Sequence, residues 1–350
     1  MRAYAQAAVA CGHAVIALDA FIDKDTKRVS EQAFKQDMLD WQLDETAFKR
    51  VFSDLELSEV EGFLYGSLFD ATPELLDWIA TRVQIIGNTP EVLKKAKAFS
   101  FFDLLDDLKI RHPEVRLEKP VKTEGWLCKQ IGGSGGMHVR SATHSISADY
   151  FQREVSGEPV SILFVADGKE IQTIGFNRQL VAPTPELPYR FAGVVGGVKL
   201  PDAIEKVFCE AARKLTRALG LRGICSLDAV LEGETLWILE LNPRLSATFD
   251  LYPNLMSLHV QGCAGNLTEL PVFTVSKAQL ILYADKTLVL PLDFDWPTWA
   301  IDIPHADQAS KEIVIEKNAP ICSVRAEAAT AELALAQVNQ GAKILREMMR

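Results

Sequence analysis

One stretch of the sequence, residues 221–250, restricts the fold most strongly because it predicts a β-hairpin with acidic side chains inside apolar strands. The runs 224–231 and 236–241 are rich in apolar residues, and the turn signal Glu-Gly-Glu-Thr lies between them. Two strands joined by so short a turn pair with each other in an antiparallel ladder. The register of that pairing decides which side chains share a face.

A three-residue loop at 233–235 would pair the residues on either side of it and place Asp228 opposite Glu240. Side chains alternate along a strand, so Glu240 and Asn242 share one face, and Asp228 joins them. Neighbouring carboxylates repel unless a positive charge lies between them, which predicts a site for a hard divalent cation, Mg²⁺ first. The alternative is a solvent-exposed sheet face, which the apolar strands and the Asn-Pro-Arg turn at 242–244 disfavour.

The composition limits the partners that the chain can have. With 350 residues, of which 48% are hydrophobic, it can form two or three domains. The net charge of −10 argues against nucleic acid but leaves room for an anionic ligand held by a few local cations. We find no apolar run of membrane-spanning length and therefore predict no membrane partner. The six scattered cysteines form no CxxC pair, which favours reduced thiols in a cytoplasm.

The N-terminal part of the sequence reads as half of a doubly wound α/β unit. Residues 14–20 are a continuous apolar run typical of a buried parallel strand, and 62–68 and 83–86 predict further strands. Thr-Pro-Glu triplets at 72–74 and 89–91 each predict the start of a helix. Such a unit normally begins with a strand, whereas this sequence begins with a helix, so we expect either that its first strand is missing from this sequence or that the sheet is built differently.

A glycine-rich loop lies between two predicted strands, 126–131 and 137–140. Four of the five residues from Gly132 to Gly136 are glycine, which lets backbone N–H groups approach an anion closely. It is not a Walker loop, because no Gly-Lys-Ser/Thr follows. With Lys129 just before it, the loop suits a lid folded over a nucleoside triphosphate. The alternative is a flexible hairpin tip.

Four elements in this order resemble the ATP-grasp superfamily. They are Lys97 at a domain junction, Lys129 before the glycine loop, the segment 152–155, and Asp228 with the Glu-Leu-Asn-Pro-Arg run 240–244. The most similar branch is that of predicted ATP-dependent carboligases related to biotin carboxylase, found in methanogens and in methylotrophs that use methanopterin or methanofuran. Within it lies the tyramine–glutamate ligase of methanofuran synthesis.

The resemblance implies an α/β protein with the ATP-grasp fold, α+β in its ATP-binding part. Residues 1–110 would form a preATP-grasp-like domain that lacks its first strand. Residues 111–180 would form the lid subdomain with the glycine flap, and 181–270 the subdomain with the metal site. Residues 271–350 would be an α/β segment packed on the ATP-grasp domain.

The resemblance also assigns roles to single residues. Asp228, Glu240 and Asn242 would hold two Mg²⁺ ions, with Mn²⁺ as an alternative, and Arg244 would be catalytic by stabilising the transferring phosphoryl group. Lys97 competes for its role with Lys94 and Lys95 on the same predicted helix. The residues implied to bind ATP are Lys97, Lys129, Gly132, Gly133, Ser134, Gly135, Gly136, Gln152, Arg153, Glu154, Val155 and Glu158.

The implied activity is that of an ATP- and Mg-dependent ligase, with ATP and Mg²⁺ as cofactors. A substrate carboxylate would be activated as an acyl phosphate and attacked by an amine, in a step that could belong to C1 cofactor biosynthesis. The acid and the amine stay unidentified, and a homodimer is typical of the superfamily. The alternatives are carboxylation through carboxyphosphate, as in biotin carboxylase, and a nucleotide-binding module that does not catalyse.

Overall fold

The structure is a computed structural model that describes residues 1–39, 42–143, 148–305 and 312–349. The helices are α1 (Arg2–Ala10), α2 (Lys24–Val29), α3 (Glu45–Ser53), α4 (Pro73–Ala80), α5 (Pro90–Lys97), α6 (Phe101–Asp107), α7 (Asp202–Leu219), α8 (Leu255–Cys263) and α9 (Ala331–Met348). Short 3₁₀ turns cover Ser67–Phe69 and Ala247–Leu251.

The strands are β1 (Ile16–Asp19), β2 (Gln32–Lys35), β3 (Met38–Leu39), β4 (Gln42–Leu43), β5 (Val115–Arg116), β6 (Trp126–Lys129), β7 (Arg140–Ser141), β8 (Tyr150–Arg153), β9 (Glu158–Asp167), β10 (Ile171–Val181), β11 (Phe191–Gly196), β12 (Arg222–Glu232), β13 (Thr235–Asn242), β14 (Ser276–Tyr283), β15 (Leu288–Pro291), β16 (Ala300–Ile301), β17 (Glu312–Ile315) and β18 (Pro320–Ala328).

An eight-stranded antiparallel sheet forms the centre of the molecule. Its strand order is β13-β12-β9-β10-β11-β14-β18-β16. Strands β14, β18 and β16, from the C-terminal part of the chain, extend the sheet beyond β11. Strand β9 is buried on both faces. Ile162 and Phe164 belong to the core under α7 and α9, and Leu163 and Val165 belong to the core under α8.

A smaller antiparallel sheet, with the order β5-β8-β6-β7, carries the glycine loop. The prediction of a strand at 137–140, after the glycine loop, is wrong, because β7 covers only Arg140–Ser141. Gly132, Gly135 and Gly136 have φ values of 71°, 63° and 67°, a left-handed conformation that interrupts a strand. The loop is therefore a series of turns between the two strands.

The N-terminal part contains the predicted buried parallel strand. Strand β1 pairs in parallel with β2 and lies within the predicted run 14–20. The strands expected at 62–68 and 83–86 are wrong, since only an isolated parallel bridge joins Phe63 to Ile85 in the described residues. Phe63 and Phe69, a residue of the first 3₁₀ turn, instead pack edge-on against each other in an aromatic core.

Helices α4 and α5 begin at Pro73 and Pro90, as the sequence predicts, although neither preceding threonine makes a side-chain capping bond. Within the described ranges, no helix combines the length and the apolar character that crossing a membrane requires. All six cysteines are free thiols.

Helix α7 anchors one layer of the core and offers a test of the fold. Leu215 is fully buried beneath the helix, whereas Val207 on the same helix is 53% exposed. We expect Leu215→Ala to lower the free energy of unfolding by about 2–5 kcal/mol through lost burial and a residual cavity. Urea denaturation followed by circular dichroism measures this.

The matched control is Val207→Ala, which we expect to change the free energy of unfolding by less than about 0.5 kcal/mol. Equal losses in the two variants would contradict the placement of α7 on the sheet.

Candidate functional site

The hairpin of β12 and β13 brings Asp228 opposite Glu240, as the sequence predicts, but by a different route. Glu232 pairs with Thr235, so the loop has two residues, and the expected three-residue loop is wrong. The register then shifts between Ala229 and Asp228, where β13 carries one extra residue. The extra residue of this β-bulge makes up for the one residue that the shorter loop lacks, and Asp228 again pairs with Glu240.

Asn242 lies at the centre of the acidic face. Its amide Nδ2 donates to Asp228 Oδ2 at 3.1 Å and to Glu240 Oε1 at 3.3 Å. The amide Oδ1 accepts from Lys97 Nζ at 2.9 Å and from Arg244 Nη2 at 2.8 Å. The amide therefore separates two carboxylates on one side from two cations on the other.

The pKa values of the two carboxylates shift in opposite directions. Burial and the charge of Glu240 raise the pKa of Asp228, although a hydrogen bond from Gln179 opposes the shift. Desolvation also acts against ionisation of Glu240, but Lys97, Lys129 and other nearby cations outweigh it and lower its pKa. The Glu240 side chain is 42% exposed, so this ionised carboxylate is open to a ligand.

Of the three lysines that the sequence leaves as alternatives, only Lys97 reaches this acidic face. Its Nζ lies 3.9 Å from Glu240 Oε2, and its side chain is 7% exposed. Lys94 instead binds Asp77, and Lys95 is exposed. Lys129, at the end of β6, is another cation near the site. Burial lowers its pKa, and the charges of Glu240 and Asp228 oppose that shift.

Arg244 is held by a residue that the sequence analysis missed, Asp70. Its Nε and Nη2 donate to the two oxygens of Asp70 at 3.1 and 2.6 Å. Lys97 Nζ lies 3.2 Å from the same carboxylate, whose side chain is fully buried. Nothing in the local sequence indicates this role, because Asp70 lies 174 residues from Arg244.

Two side chains from the N-terminal part fix the backbone just before Arg244. The Pro243 carbonyl accepts hydrogen bonds from the Tyr65 hydroxyl at 3.3 Å and from Asn88 Nδ2 at 3.0 Å. Asn88 also exchanges hydrogen bonds with the backbone of Arg222, where β12 begins. Side chains from the N-terminal part thus hold both ends of the hairpin segment that carries the site.

The glycine loop packs against this same N-terminal segment. A Cβ atom at Gly132 would collide with the backbone of Asp70, and one at Gly136 with the backbone carbonyl of Tyr189. Gly133 lies under the ring of His138, whose pKa burial lowers to about 4. Gly135 O accepts from Phe191 N at 2.9 Å, and Ser134 O accepts from Met137 N at 3.3 Å.

The predicted adenine-binding segment contains a buried donor without a partner. Gln152 is 1% exposed, and its Nε2 has no hydrogen-bond partner in the described part of the chain. The side chains that follow are engaged elsewhere: Arg153 lies over the Trp126 ring, and Glu154 accepts from the Tyr189 hydroxyl. Val155, next along the segment, is half-buried.

Glu158, expected near the ribose, forms an ion pair with Arg178 of β10. The pair lies in the central sheet, where Glu158 is opposite Leu231 of β12. The structure thus gives Glu158 a partner within the protein, and a ribose contact would have to compete with that partner.

A sequence model of the ATP-grasp domain family matches residues 96–248, the segment that contains Lys97, the glycine loop and the hairpin. These residues form an ATP-grasp domain. The family suggested by the four ordered elements is therefore confirmed.

Two relatives each match a little under half of this chain. The tyramine–L-glutamate ligase of Methanocaldococcus jannaschii is 26% identical over 173 residues, which cover 47% of this chain and 49% of that protein. The arginine-specific large chain of carbamoyl phosphate synthase from Bacillus subtilis is 22% identical over 180 residues, covering 45% of this chain and 17% of that protein. The chain spans about half, or less, of the length of these relatives.

The whole chain also resembles a solved structure. The biotin carboxylase domain of the Hydrogenobacter thermophilus 2-oxoglutarate carboxylase, solved with MgADP, ADP and bicarbonate, superposes with a TM-score of 0.70. The match covers 96% of this chain and 86% of that one, at 11% identity. The ATP-grasp fold expected from the sequence is confirmed, and the N-terminal and C-terminal parts belong to the matched region.

The residues of the acidic face fit a hard divalent cation. In the described residues no group of three His, Cys, Asp or Glu side chains could hold a metal, so the donor set depends on the Asn242 amide together with the two carboxylates. Its Nδ2 now lies between Asp228 and Glu240, in the place of a positive charge. Rotation of the amide would present Oδ1 there and complete a set of oxygen donors, which Mg²⁺ prefers, and it requires Lys97 and Arg244 to give up Oδ1 as their acceptor.

The Asp70 carboxylate gives a direct test of this arrangement. We expect Asp70→Asn to lower the free energy of unfolding by about 3–5 kcal/mol, because two buried cations lose their shared counter-charge. The matched control, Asp77→Asn, removes a carboxylate from the more exposed Lys94 and should leave the free energy of unfolding close to that of the wild type. Similar urea midpoints for Asp70→Asn and the wild type would refute the proposed electrostatic role of Asp70.

Proposed function

We propose that the chain is an ATP- and Mg²⁺-dependent ligase that joins a carboxylate to an amine. The observation that carries this proposal is the convergence of Asp228, Glu240 and Asn242 with the cations Lys97 and Arg244. Phosphoryl transfer requires positioning and neutralisation of charge rather than covalent help from the protein. Metal ligands next to fixed cations provide both.

The proposed reaction has two steps. A carboxylate oxygen of the acid attacks the γ-phosphorus of ATP, the bond from that phosphorus to the β,γ-bridging oxygen breaks, and ADP leaves. The amine nitrogen then attacks the carbonyl carbon of the acyl phosphate and loses a proton. The carbon–oxygen bond to phosphate breaks, so that the products are an amide and inorganic phosphate.

The chain's own residues position these reactants. Lys97 and Lys129 bind phosphate oxygens as point charges, and the glycines of 132–136 bring backbone N–H groups close to the β- and γ-phosphates. Arg244, held by Asp70, presents a fixed guanidinium to the transferring phosphoryl group. Gln152 meets the adenine, which would satisfy its orphaned Nε2 donor.

Asp228, Glu240 and Asn242 would hold two Mg²⁺ ions, with Glu240 shared between them, and Mn²⁺ could replace Mg²⁺ there. When bound, the metal neutralises charge that develops on the β- and γ-phosphate oxygens. The low pKa of Glu240 keeps its carboxylate ionised and available for that role.

The acid and amine are small molecules in this proposal. The match to the tyramine–L-glutamate ligase of M. jannaschii supports an amino acid carboxylate and an amine. A role in C1 cofactor biosynthesis stays a prediction from the sequence resemblance. The free cysteines and the composition support a cytoplasmic enzyme. The homodimer and the domain boundaries at 110, 180 and 270 stay predictions.

Substitution of the shared metal ligand tests the proposal. We expect Glu240→Ala to reduce acid- and amine-dependent ADP release at least about 100-fold, because it removes a group that acts on the transition state. The control is Glu234→Ala in the turn of the same hairpin, which should keep wild-type turnover. Circular dichroism establishes that both variants are folded. Undiminished turnover in a folded Glu240→Ala variant would exclude the metal assignment.

The similarity in fold to a biotin carboxylase domain favours carboxylation through carboxyphosphate as a second candidate. The two reactions differ in the reactant that triggers ADP release. For a carboxylate–amine ligase we expect that release to require an acid together with Mg²⁺ and to persist when bicarbonate is removed. Bicarbonate-dependent ADP release without acid or amine would favour carboxylation instead. MgATP binding without ADP release under either condition would indicate a non-catalytic module.

A further inference from the structure

The loop between β10 and β11 contacts both the glycine loop and the predicted adenine-binding segment. We call this loop, residues 182–190, the strap. Its prolines at 183, 185 and 188 fix their own φ angles and stiffen the chain. The two ends of the strap also bind each other: Ala182 N donates to Arg190 O at 2.8 Å, and Arg190 Nε donates to Ala182 O at 3.0 Å. The strap is therefore a stiff loop with a closed base.

Arg190 joins the base of the strap to the C-terminal part of the chain. Its side chain is buried, and its guanidinium carbon lies 3.9 Å from the centre of the Tyr283 ring on β14, a cation–π contact. The Tyr283 hydroxyl donates to Phe191 O at 2.8 Å, directly after the strap. These contacts hold Tyr189, the residue before Arg190, in a defined position.

The strap meets the glycine loop through its backbone. Gly136 has a φ of 67°, and a Cβ atom there would collide with the carbonyl of Tyr189. Phe191 N donates to Gly135 O at 2.9 Å beside this contact. Packing against the strap thus requires glycine at position 136, independently of any phosphate that the loop binds.

The side chain of Tyr189 reaches the adenine-binding segment. Its hydroxyl donates to Glu154 Oε1, and Glu154 N donates to Gly125 O at 3.0 Å, next to β6. Burial and the hydrogen bond to Glu154 raise the pKa of the Tyr189 hydroxyl, which therefore keeps its proton at neutral pH. A hydrogen bond from a neutral hydroxyl to a carboxylate is stronger than one between two neutral groups.

These contacts involve both ends of the small sheet. Strands β6 and β8 are antiparallel, so Lys129 and Arg153 lie at opposite ends of the pair. The glycine loop follows Lys129, and Glu154 follows Arg153. The strap connects two strands of the central sheet, which also carries Asp228 and Glu240. It thus joins the small sheet to the central sheet on either side of the proposed nucleotide site.

We propose that the strap is a latch for the nucleotide. The Tyr189–Glu154 hydrogen bond holds the glycine loop and the adenine-binding segment around MgATP, and it has to break before ADP leaves. Tyr189 is therefore a positioning residue, which acts through the glycine loop and Glu154. The proposal rests on the ATP-dependent function proposed above, since it assigns the contact that controls release of the product nucleotide.

The dissociation rate of ADP tests the latch without requiring turnover. The probe is ADP with a fluorescent N-methylanthraniloyl group, bound with Mg²⁺ to the full chain and displaced by excess ADP in a stopped-flow instrument. We expect Tyr189→Phe to raise the dissociation rate constant about 5- to 20-fold, because it deletes only the hydroxyl that binds the carboxylate. An unchanged rate constant would overturn the proposal.

The urea midpoint without nucleotide separates the latch from a role in stability. It should stay close to that of the wild type in Tyr189→Phe, because the exposed Glu154 carboxylate regains water as its partner. A lowered midpoint together with an unchanged dissociation rate would assign Tyr189 to stability alone and contradict the latch.

Further variants locate the effect in the hydrogen bond itself. Glu154→Ala removes the acceptor and should also accelerate release, and the double variant with Tyr189→Phe should be no faster than the faster single variant. The control Glu186→Gln changes another exposed carboxylate, on the strap, and should keep the wild-type rate constant. Additive accelerations in the double variant would show that Tyr189 and Glu154 act separately and would overturn the latch.

The outcomes distinguish the latch from the ligase function. Faster ADP dissociation in Tyr189→Phe, without ADP release from ATP for any acid and amine, would support the latch and contradict the ligase. Acid- and amine-dependent ADP release by a chain whose ADP dissociation is unaffected by Tyr189→Phe would support the ligase and contradict the latch. Failure of the wild type to bind MgADP would contradict both.

Discussion

The buried carboxylate of Asp70 is the interaction on which the rest of the site depends. Arg244 and Lys97 both lie almost fully inside the protein, where a positive charge without a counter-charge is costly. Asp70 supplies that counter-charge from the N-terminal part of the chain. The backbone of the same residue is the surface against which Gly132 packs, so one short segment contacts both Arg244 and the glycine loop. The N-terminal part is thus a structural component of the proposed ATP site.

The acidic face depends on pairing in the central sheet. Strand β12 lies between β13 and β9, and its bulge lets a two-residue turn coexist with the Asp228–Glu240 pair. The Asn242 amide then divides the local charges into an anionic and a cationic side. In the proposed ATP site, this separation would give a metal ion and a phosphate adjacent positions of opposite charge.

Local sequence patterns predicted the helices and strands whose conformation depends on neighbouring residues. The spacing of apolar residues gives α7 its buried face, the apolar run before Asp19 predicts β1, and alternation in the hairpin places Asp228 with Glu240. Local patterns did not predict the structure where contacts between residues distant in sequence determine it. The chain at 62–68 has strand-like composition, yet its aromatic side chains turn into a core built by α3 and α4. Asp70 and Gln179 reach the site only through tertiary packing, so no neighbouring residue signals their contacts.

The central claim is that Asp228, Glu240 and Asn242 form the metal-binding floor of an ATP site. A crystal structure of the chain with ADP and Mn²⁺, with anomalous scattering recorded for manganese, tests it most directly. The account predicts manganese peaks within coordination distance of Asp228 and Glu240 oxygens and of the Asn242 amide oxygen, with the ADP phosphates facing Lys97 and Lys129. Nucleotide and metal bound away from this face, or manganese peaks that contact neither carboxylate, would contradict it.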